Sequence, residues 1–254
     1  MITLAFDTCL DKMYVVLKKD GAVLSSKIIE NHDNKYHSAF LISTLQEVMS
    51  ENSILPKDID LIGVNIGPGS FTGIRACVTV ARVMAQQLNC KAVGVSSLEI
   101  LSRAARQLSS YAAKSSEKWK VESGKLDNFQ FSTFNFQLNT NLSPNNSQFL
   151  AKPSLVALDA RKNCAYLYND GEIKGAIDLE KVKEIIATGK YNVITDDKLQ
   201  PILGGKSYQK ENLPLGEILA ELAEEKMLGK YAQPTDGDWR KLKPLYIQPP
   251  PMGN

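Results

Sequence analysis

LIGVNIGPGSFTGIRACVTVARVMAQQL, residues 61–88, holds a strand, a glycine-rich turn and a helix in one run. Residues 61–66 are apolar, rich in branched side chains and free of polar alternation, the signature of a short strand covered on both faces. Gly67, Pro68, Gly69 and Gly73 then mark a tight strand-to-helix turn, with Ser70 and Thr72 as N-cap residues for the helix. Ile74, Cys77, Val78, Ala81, Ala85 and Leu88 form one apolar face of that helix. Ala76, Val80, Val83 and Met84 form a second, so two of its sides need cover. The turn has two physical readings. Its glycines can let backbone N–H groups approach an anion such as a phosphate, or they can simply permit the corner. No Gly-Lys-Ser/Thr follows, which excludes a Walker A loop.

The 254 residues suit one large domain or two small ones, and a hydrophobic content of 43% is ordinary for a globular chain. Thirty basic residues against 28 acidic ones leave a formal charge of +2, too little for nucleic-acid binding by bulk electrostatics. Cys9, Cys77, Cys90 and Cys164 show no paired spacing and sit in apolar segments, so buried reduced thiols are expected in place of disulfides or a zinc site. The chain opens directly into a strand and contains no long apolar span. The expectation is a cytoplasmic protein with neither a signal peptide nor a membrane helix.

Residues 2–6 read as a strand ending at Asp7-Thr8, and 13–17 and 22–29 as a hairpin turning at Asp20-Gly21. Residues 38–49 read as a helix entered through His37 and capped by Ser38, 92–95 as a strand, and 97–108 as a helix capped by Ser96 or Ser97. An internal repeat follows. Ala5-Phe6-Asp7, Tyr14-Val15-Val16 and Asp20-Gly21 are echoed by Ala157-Leu158-Asp159, Tyr166-Leu167-Tyr168 and Asp170-Gly171. A helix capped by Asp178, a strand over 191–195, a helix over 215–228 closed by Gly229 and an extended tail complete the second half. The expected organisation is an N-terminal subdomain over 1–108, a Ser/Asn-rich insert over 109–152 with alternating Phe129, Phe131, Phe134 and Phe136, and a C-terminal subdomain over 153–254.

GPGSFTGIR at 67–75 resembles the signature of the TsaB (YeaZ) family, the non-catalytic dimerisation subunit of the bacterial machinery that makes threonylcarbamoyladenosine on tRNA. AFDT at 5–8, His37-Ser38, VSSLE at 95–99 and LDAR at 158–161 fit the same family. The resemblance implies an α/β fold, a duplicated relative of the actin, hexokinase and heat-shock ATPase superfamily with a degenerate second half. In that superfamily Asp7, Thr8, Gly67, Gly69 and Asp159 would flank a nucleotide cleft. Two readings stand for them: a weak vestigial site for an adenine nucleotide and Mg²⁺ at a complex interface, with no cofactor required, or aspartates that cap their hairpins through backbone N–H groups.

The resemblance also implies partners: a TsaD-like catalytic subunit, a TsaE-like ATPase, tRNA indirectly through the complex, a homodimer when the partner is absent, and no membrane. TsaD would transfer the threonylcarbamoyl group to N6 of a tRNA adenosine, with this chain holding it in a competent shape. Phe40, Phe71, Val80, Val83 and Met84 are the expected apolar interface, and Arg75 and Arg82 its rim. Ala39, Ser43 and Gln248 stand where family members often have Glu, Pro and Arg, which puts the rim contacts in doubt.

His32 and His37 are the chain's two histidines. Neither supplies a metal cluster or a nucleophile's base in any recognisable spacing. Glu99 and Arg103 stand where TsaD relatives carry a metal-binding histidine pair. The expectation is a chain without catalytic or metal-binding residues. A free-standing ATPase or small-molecule kinase built on Asp7, Asp159 and the turn from Gly67 to Gly73 is the alternative. A further reading gives the insert, through Lys114, Lys118, Trp119, Lys120 and Lys125, a nucleic-acid-binding role.

Overall fold

The structure, a computed structural model, describes residues 1–30, 37–117, 152–169, 171–211, 213–229 and 237–247. Strands β1 (Ile2–Asp7), β2 (Met13–Lys19) and β3 (Ala22–Ile29) lead through a 3-10 turn (His37–Phe40) to α1 (Leu41–Glu51), β4 (Leu61–Asn65), α2 (Phe71–Leu88), β5 (Lys91–Val95) and α3 (Ser97–Glu117). The second half runs β6 (Ser154–Asp159), β7 (Cys164–Asn169), β8 (Glu172–Asp178), α4 (Leu179–Ala187), β9 (Asn192–Thr195), α5 (Gln200–Leu203), β10 (Lys206–Ser207) and α6 (Leu215–Leu228).

The duplication is visible in the sheets. The first has the order β3-β2-β1-β4-β5 and the second β8-β7-β6-β9-β10. In each, the first strand pairs antiparallel with the second and parallel with the fourth. Each hairpin slips register at the same place counted back from its turn, between Leu17 and Lys18 and between Leu167 and Tyr168. Asp20 and Gly21 take φ of 50° and 84°, the left-handed pair that a two-residue hairpin turn requires. The second half is the reduced copy, since α5 has four residues and β10 two. Neither short element shows in the hydrophobic pattern. This is a duplicated α/β fold of the actin, hexokinase and heat-shock ATPase type.

Three apolar layers follow from strand alternation. Leu4, Phe6, Val15, Ile62 and Val64 face outward beneath α1 and α2. Leu155, Ala157 and Leu167 face outward on the second sheet beneath α4. Ala5, Val16, Val95, Val156 and Leu158 face the space between the sheets, which α3 and α6 fill. The last helix of each half crosses over: α6 packs on β1, β2, β4 and β5, while α3 packs on β6, β7 and β9. Lying between two layers, α6 buries Leu215, Gly216, Ile218, Leu219, Ala220, Leu222 and Ala223, more than a single stripe.

Two boundaries differ from expectation. The first helix begins at Leu41, because residues 37–40 form the tighter 3-10 turn, and Phe40 caps α1 without a side-chain bond. The helix expected to stop at residue 108 runs to Glu117, through alanines and serines with no Gly or Pro to end it. Lys118, Trp119, Lys120, Lys125, Phe129, Phe131, Phe134, Phe136, His32 and Gln248 lie outside the described residues.

Polar ties reinforce the crossing helices. Ser96 and Glu99 form a capping box, Ser96 N–H donating to Glu99 Oε2 at 2.9 Å and Glu99 N–H to Ser96 Oγ at 3.1 Å. Lys226 of α6 meets Glu99 at 2.9 Å, Arg103 grips Glu225 through both carboxylate oxygens at 2.8 and 2.6 Å, and buried Lys18 meets Glu224 at 2.6 Å.

Burial pushes the Glu99 carboxyl up, but the Lys226 ammonium and the Ser96 donors outweigh it and hold it below the usual glutamate value. A depressed carboxyl contributes stability above its unfolded pKa that is lost as pH falls through the folded one. Glu99→Gln is therefore expected to cost about 1–3 kcal/mol near neutral pH, and the gap to the unaltered chain should close below the glutamate range in urea titrations at both pH values. A gap that persists in acid contradicts the assignment. At Gly63 an added Cβ would lie 2.8 Å from the Ala223 Cβ. Gly63→Ala is expected to lower stability by about 1–3 kcal/mol in the same assay, and an unchanged urea midpoint would refute the close seat of α6.

Candidate functional site

The glycine-rich turn folds against the corner that follows β1. Ser70 caps α2, its Oγ accepting from Gly73 N–H at 3.2 Å, while its own N–H donates to the Cys9 carbonyl at 2.8 Å. Thr8 Oγ1 donates to the Gly73 carbonyl at 2.7 Å, and Thr8 N–H donates to Cys77 Sγ at 3.0 Å. An added Cβ at Gly73 would fall 1.8 Å from the Thr8 carbonyl oxygen, and one at Gly69 would fall 2.3 Å from that of Cys9. The room these glycines vacate is taken by the chain's own backbone. The buried Gly67 N–H donates to Asn65 Oδ1 at 2.8 Å. Of the two readings of the turn, the geometry favours the corner.

Asp7 is buried, and both of its oxygens are engaged. Oδ1 accepts from Cys9 N–H at 2.5 Å and Oδ2 from Asn65 Nδ2 at 2.9 Å. Burial pushes its carboxyl up, against the pull of these donors. Asp159 occupies the matching corner of the second half, with Oδ1 accepting from Arg161 N–H at 2.8 Å and Oδ2 from Lys198 Nζ at 3.0 Å. Partial burial raises its carboxyl, but the Arg161 N–H and Lys198 outweigh that and leave it below the usual value. Both aspartates thus bond the amide two residues on, the Asx turn expected of hairpin caps. Tyr14 and Tyr208, buried in the inter-sheet core, feel the charges of Asp7 and Asp11, and Tyr208 also that of Asp196; burial foremost pushes both phenols up.

The expected interface residues lie along the outer side of the first half. Phe71 and Val83 are exposed, at 45% and 53%, and Arg75 is exposed beside them. Phe40, Val80 and Met84 are half-buried and pack partly on the outer core, and Arg82 is half-buried. Ala76, Val80 and Val83 follow helical spacing along one outward stripe of α2. The Arg75 guanidinium lies 4.6 Å over the Phe71 ring, whose other neighbour is Tyr246 at 5.8 Å between centroids. The tail reaches there because Leu245 N–H donates to the Ile66 carbonyl at 2.8 Å. Ile42 on α1 is a further exposed apolar residue at 51%. The pattern groups Ile42 with Leu41, Leu45, Val48 and Met49 on the apolar side of the first helix, and the structure turns it outward; Tyr246 carries no sequence signal of its own, because the tail's path sets its exposure.

One cluster escapes sequence reasoning altogether. Asp7, Cys9 and Cys77 each offer a ligand atom within 4.8 Å of the others, all three buried. The two cysteines come from a strand corner and a distant helix, with no paired spacing to reveal them. All four cysteines are free thiols, and Cys90 and Cys164 are only half-buried, contrary to expectation, because Cys90 lies in the turn between α2 and β5 and Cys164 is the first residue of β7.

If the glycines serve the corner and not an anion, Gly73→Ala is expected to destabilise the fold by about 3 kcal/mol or more. Urea unfolding with and without adenine nucleotide measures this. A stable variant that has lost only nucleotide affinity would restore the anion reading.

Residues 23–114 match the family model of TsaD, described as tRNA N6-adenosine threonylcarbamoyltransferase. The TsaB protein of Bacillus subtilis (strain 168) is 33% identical over 101 residues, which is 40% of this chain and 43% of that one. The TsaB protein of Buchnera aphidicola (from Schizaphis graminum) is 30% identical over 41% of this chain and 48% of its own. This chain thus spans less than half the length of these curated relatives. The tRNA N6-adenosine threonylcarbamoyltransferase of Rattus norvegicus is 30% identical over 36% of this chain and 31% of that one. Among solved structures, a Pseudomonas aeruginosa protein with similarity to peptidase YEAZ superposes with a TM-score of 0.62 at 18% identity, covering 97% of this chain and 99% of that one. YeaZ from Pseudomonas aeruginosa gives 0.58 at 17% identity over 96% and 99%. The structural likeness carries the fold over the whole length, and the sequence likeness over the first half makes the chain similar to the TsaB (YeaZ) proteins.

Proposed function

We propose that this chain is a non-catalytic subunit in the biosynthesis of threonylcarbamoyladenosine on tRNA, and that its work is to bind a TsaD-like catalytic subunit through α1 and α2. The observation that carries this reading is the outward stripe of α2, where Val83 stands 53% exposed beside Ala76 and Val80, with Phe71 exposed at the start of the same helix and Ile42 exposed on α1. A helix that has already buried one face on its own sheet and keeps a second apolar face outward is suited to a helix-packing partner. Phe40 and Met84 would flank the contact, and Arg75 and Arg82 would form its rim.

The absence of chemistry from this chain is part of the proposal. Glu99 and Arg103, at the positions of the TsaD histidine pair, are spent on Lys226 and Glu225. Their role is to hold α3 on α6. A free-standing ATPase would need Asp7 open to a nucleotide in a solvent cleft, and Asp7 is only 2% exposed. In the proposed complex the partner performs the transfer, and this chain contributes by favouring the partner's competent shape, a differential binding effect. A TsaE-like ATPase would dock near the junction, tRNA would be met only through the complex, and the same face would support a homodimer when the partner is absent. No helix among the described residues is long and apolar enough to cross a membrane. The proposed setting is the cytoplasm.

Val83 is the cleanest probe, because Val80 and Met84 also pack on the core. Val83→Glu is expected to weaken binding to the purified TsaD-like subunit at least about tenfold while leaving the urea midpoint unchanged. Titration calorimetry on the two purified proteins measures it. Undiminished affinity would remove α2 from the interface.

A further inference from the structure

We propose that Asp7, Cys9 and Cys77 form a binding site for a thiophilic divalent cation of the zinc class, pinning the corner after β1 to the second turn of α2. Their ligand atoms lie within 4.8 Å of one another. A tetrahedral zinc ion, at about 2.3 Å from sulfur and 2.0 Å from oxygen, asks for ligand atoms roughly 3.4–3.8 Å apart, so side-chain movements on the order of 1 Å close the site. Two sulfurs and one carboxylate favour zinc over magnesium, which prefers an all-oxygen shell.

The surroundings fit an anionic set of ligands. Thr8 N–H donates to Cys77 Sγ at 3.0 Å, Cys9 N–H to Asp7 Oδ1 at 2.5 Å and Asn65 Nδ2 to Asp7 Oδ2 at 2.9 Å. These donors orient the ligands. Two oxygens lie beside the sulfurs as candidates for the fourth position, the first of them while it donates to the Gly73 carbonyl. Thr8 Oγ1 is 3.0 Å from Cys77 Sγ, and the Asn65 carbonyl oxygen is 3.2 Å from Cys9 Sγ. On binding, each thiol gives its proton to solvent as its sulfur–metal bond forms. The dication then faces two thiolates and a carboxylate, and the cluster keeps a single negative charge for the three N–H donors to meet.

The test uses the untagged full-length chain, reduced and loaded with Zn²⁺ or Co²⁺, then desalted. The expected result is about one zinc per chain by elemental analysis and, for cobalt, the charge-transfer absorption of thiolate ligation. Cys9→Ser and Cys77→Ser should each weaken retention more than about tenfold, Asp7→Asn should weaken it as well, and Cys90→Ser should leave it unchanged. Zinc retained by the Cys9→Ser, Cys77→Ser double variant overturns the proposal. So does a cobalt-loaded chain without thiolate absorption, which decides the matter even where a serine variant fails to fold.

Discussion

The close seat of α6 on the first sheet is the constraint on which the rest depends. Gly63 presents no side chain where Ala223 passes, and Gly216 presents none where Val16 passes, with clearances of 2.8 and 2.7 Å to a Cβ that is not there. Small residues on both sides bring a helix from the far end of the chain down onto strands from its beginning. Once α6 lies there, Lys18, Arg103 and Glu99 find their partners on it, and the second sheet closes over α3. The buried pair of Lys18 and Glu224 matters chiefly if one member is lost, since the other would be left as an uncompensated charge.

The same economy of space governs the glycine-rich turn. In a phosphate-binding loop the missing side chains make room for a ligand. Here they make room for Thr8 and Cys9, and the amides of Ser70 and Gly67 are used inside the protein. The glycine-rich turn thus works as a joint between two elements, and the aspartates at the strand ends work as turn caps.

Much of this was legible in the residues. The apolar run at 61–66, Ser70 as a cap, the Asp20-Gly21 hairpin and the helix over 215–228 could be read because each depends on local chemistry: periodicity, caps and turn residues. The repeat of strand, aspartate and hairpin disclosed the duplication for the same reason. What stayed hidden depends on distance in the chain. No pattern announces that α3 and α6 trade sheets, since crossing helices look like any other amphipathic helix until their second face is seen to be covered. Cys9 and Cys77 meet only because Thr8 and Gly73 do. Tyr246 reaches Phe71 because Leu245 bonds the carbonyl of Ile66, just past β4. The 3-10 start of α1 and the extension of α3 to Glu117 were missed at element ends, where hydrophobic pattern is weakest.

The shrinkage of the second half also bears on assembly. A faithful duplication would place equivalent helix pairs at both ends of the molecule, and a surface offered twice can link head to tail without closing, as filaments do. Here, among the described residues, the second end carries α4, of nine residues, and α5, of four, where the first carries α1 and α2. Reduction on one side leaves a molecule with a single large helical end. If that end is the docking surface, association through it stops at a pair and has no means of growing into a polymer.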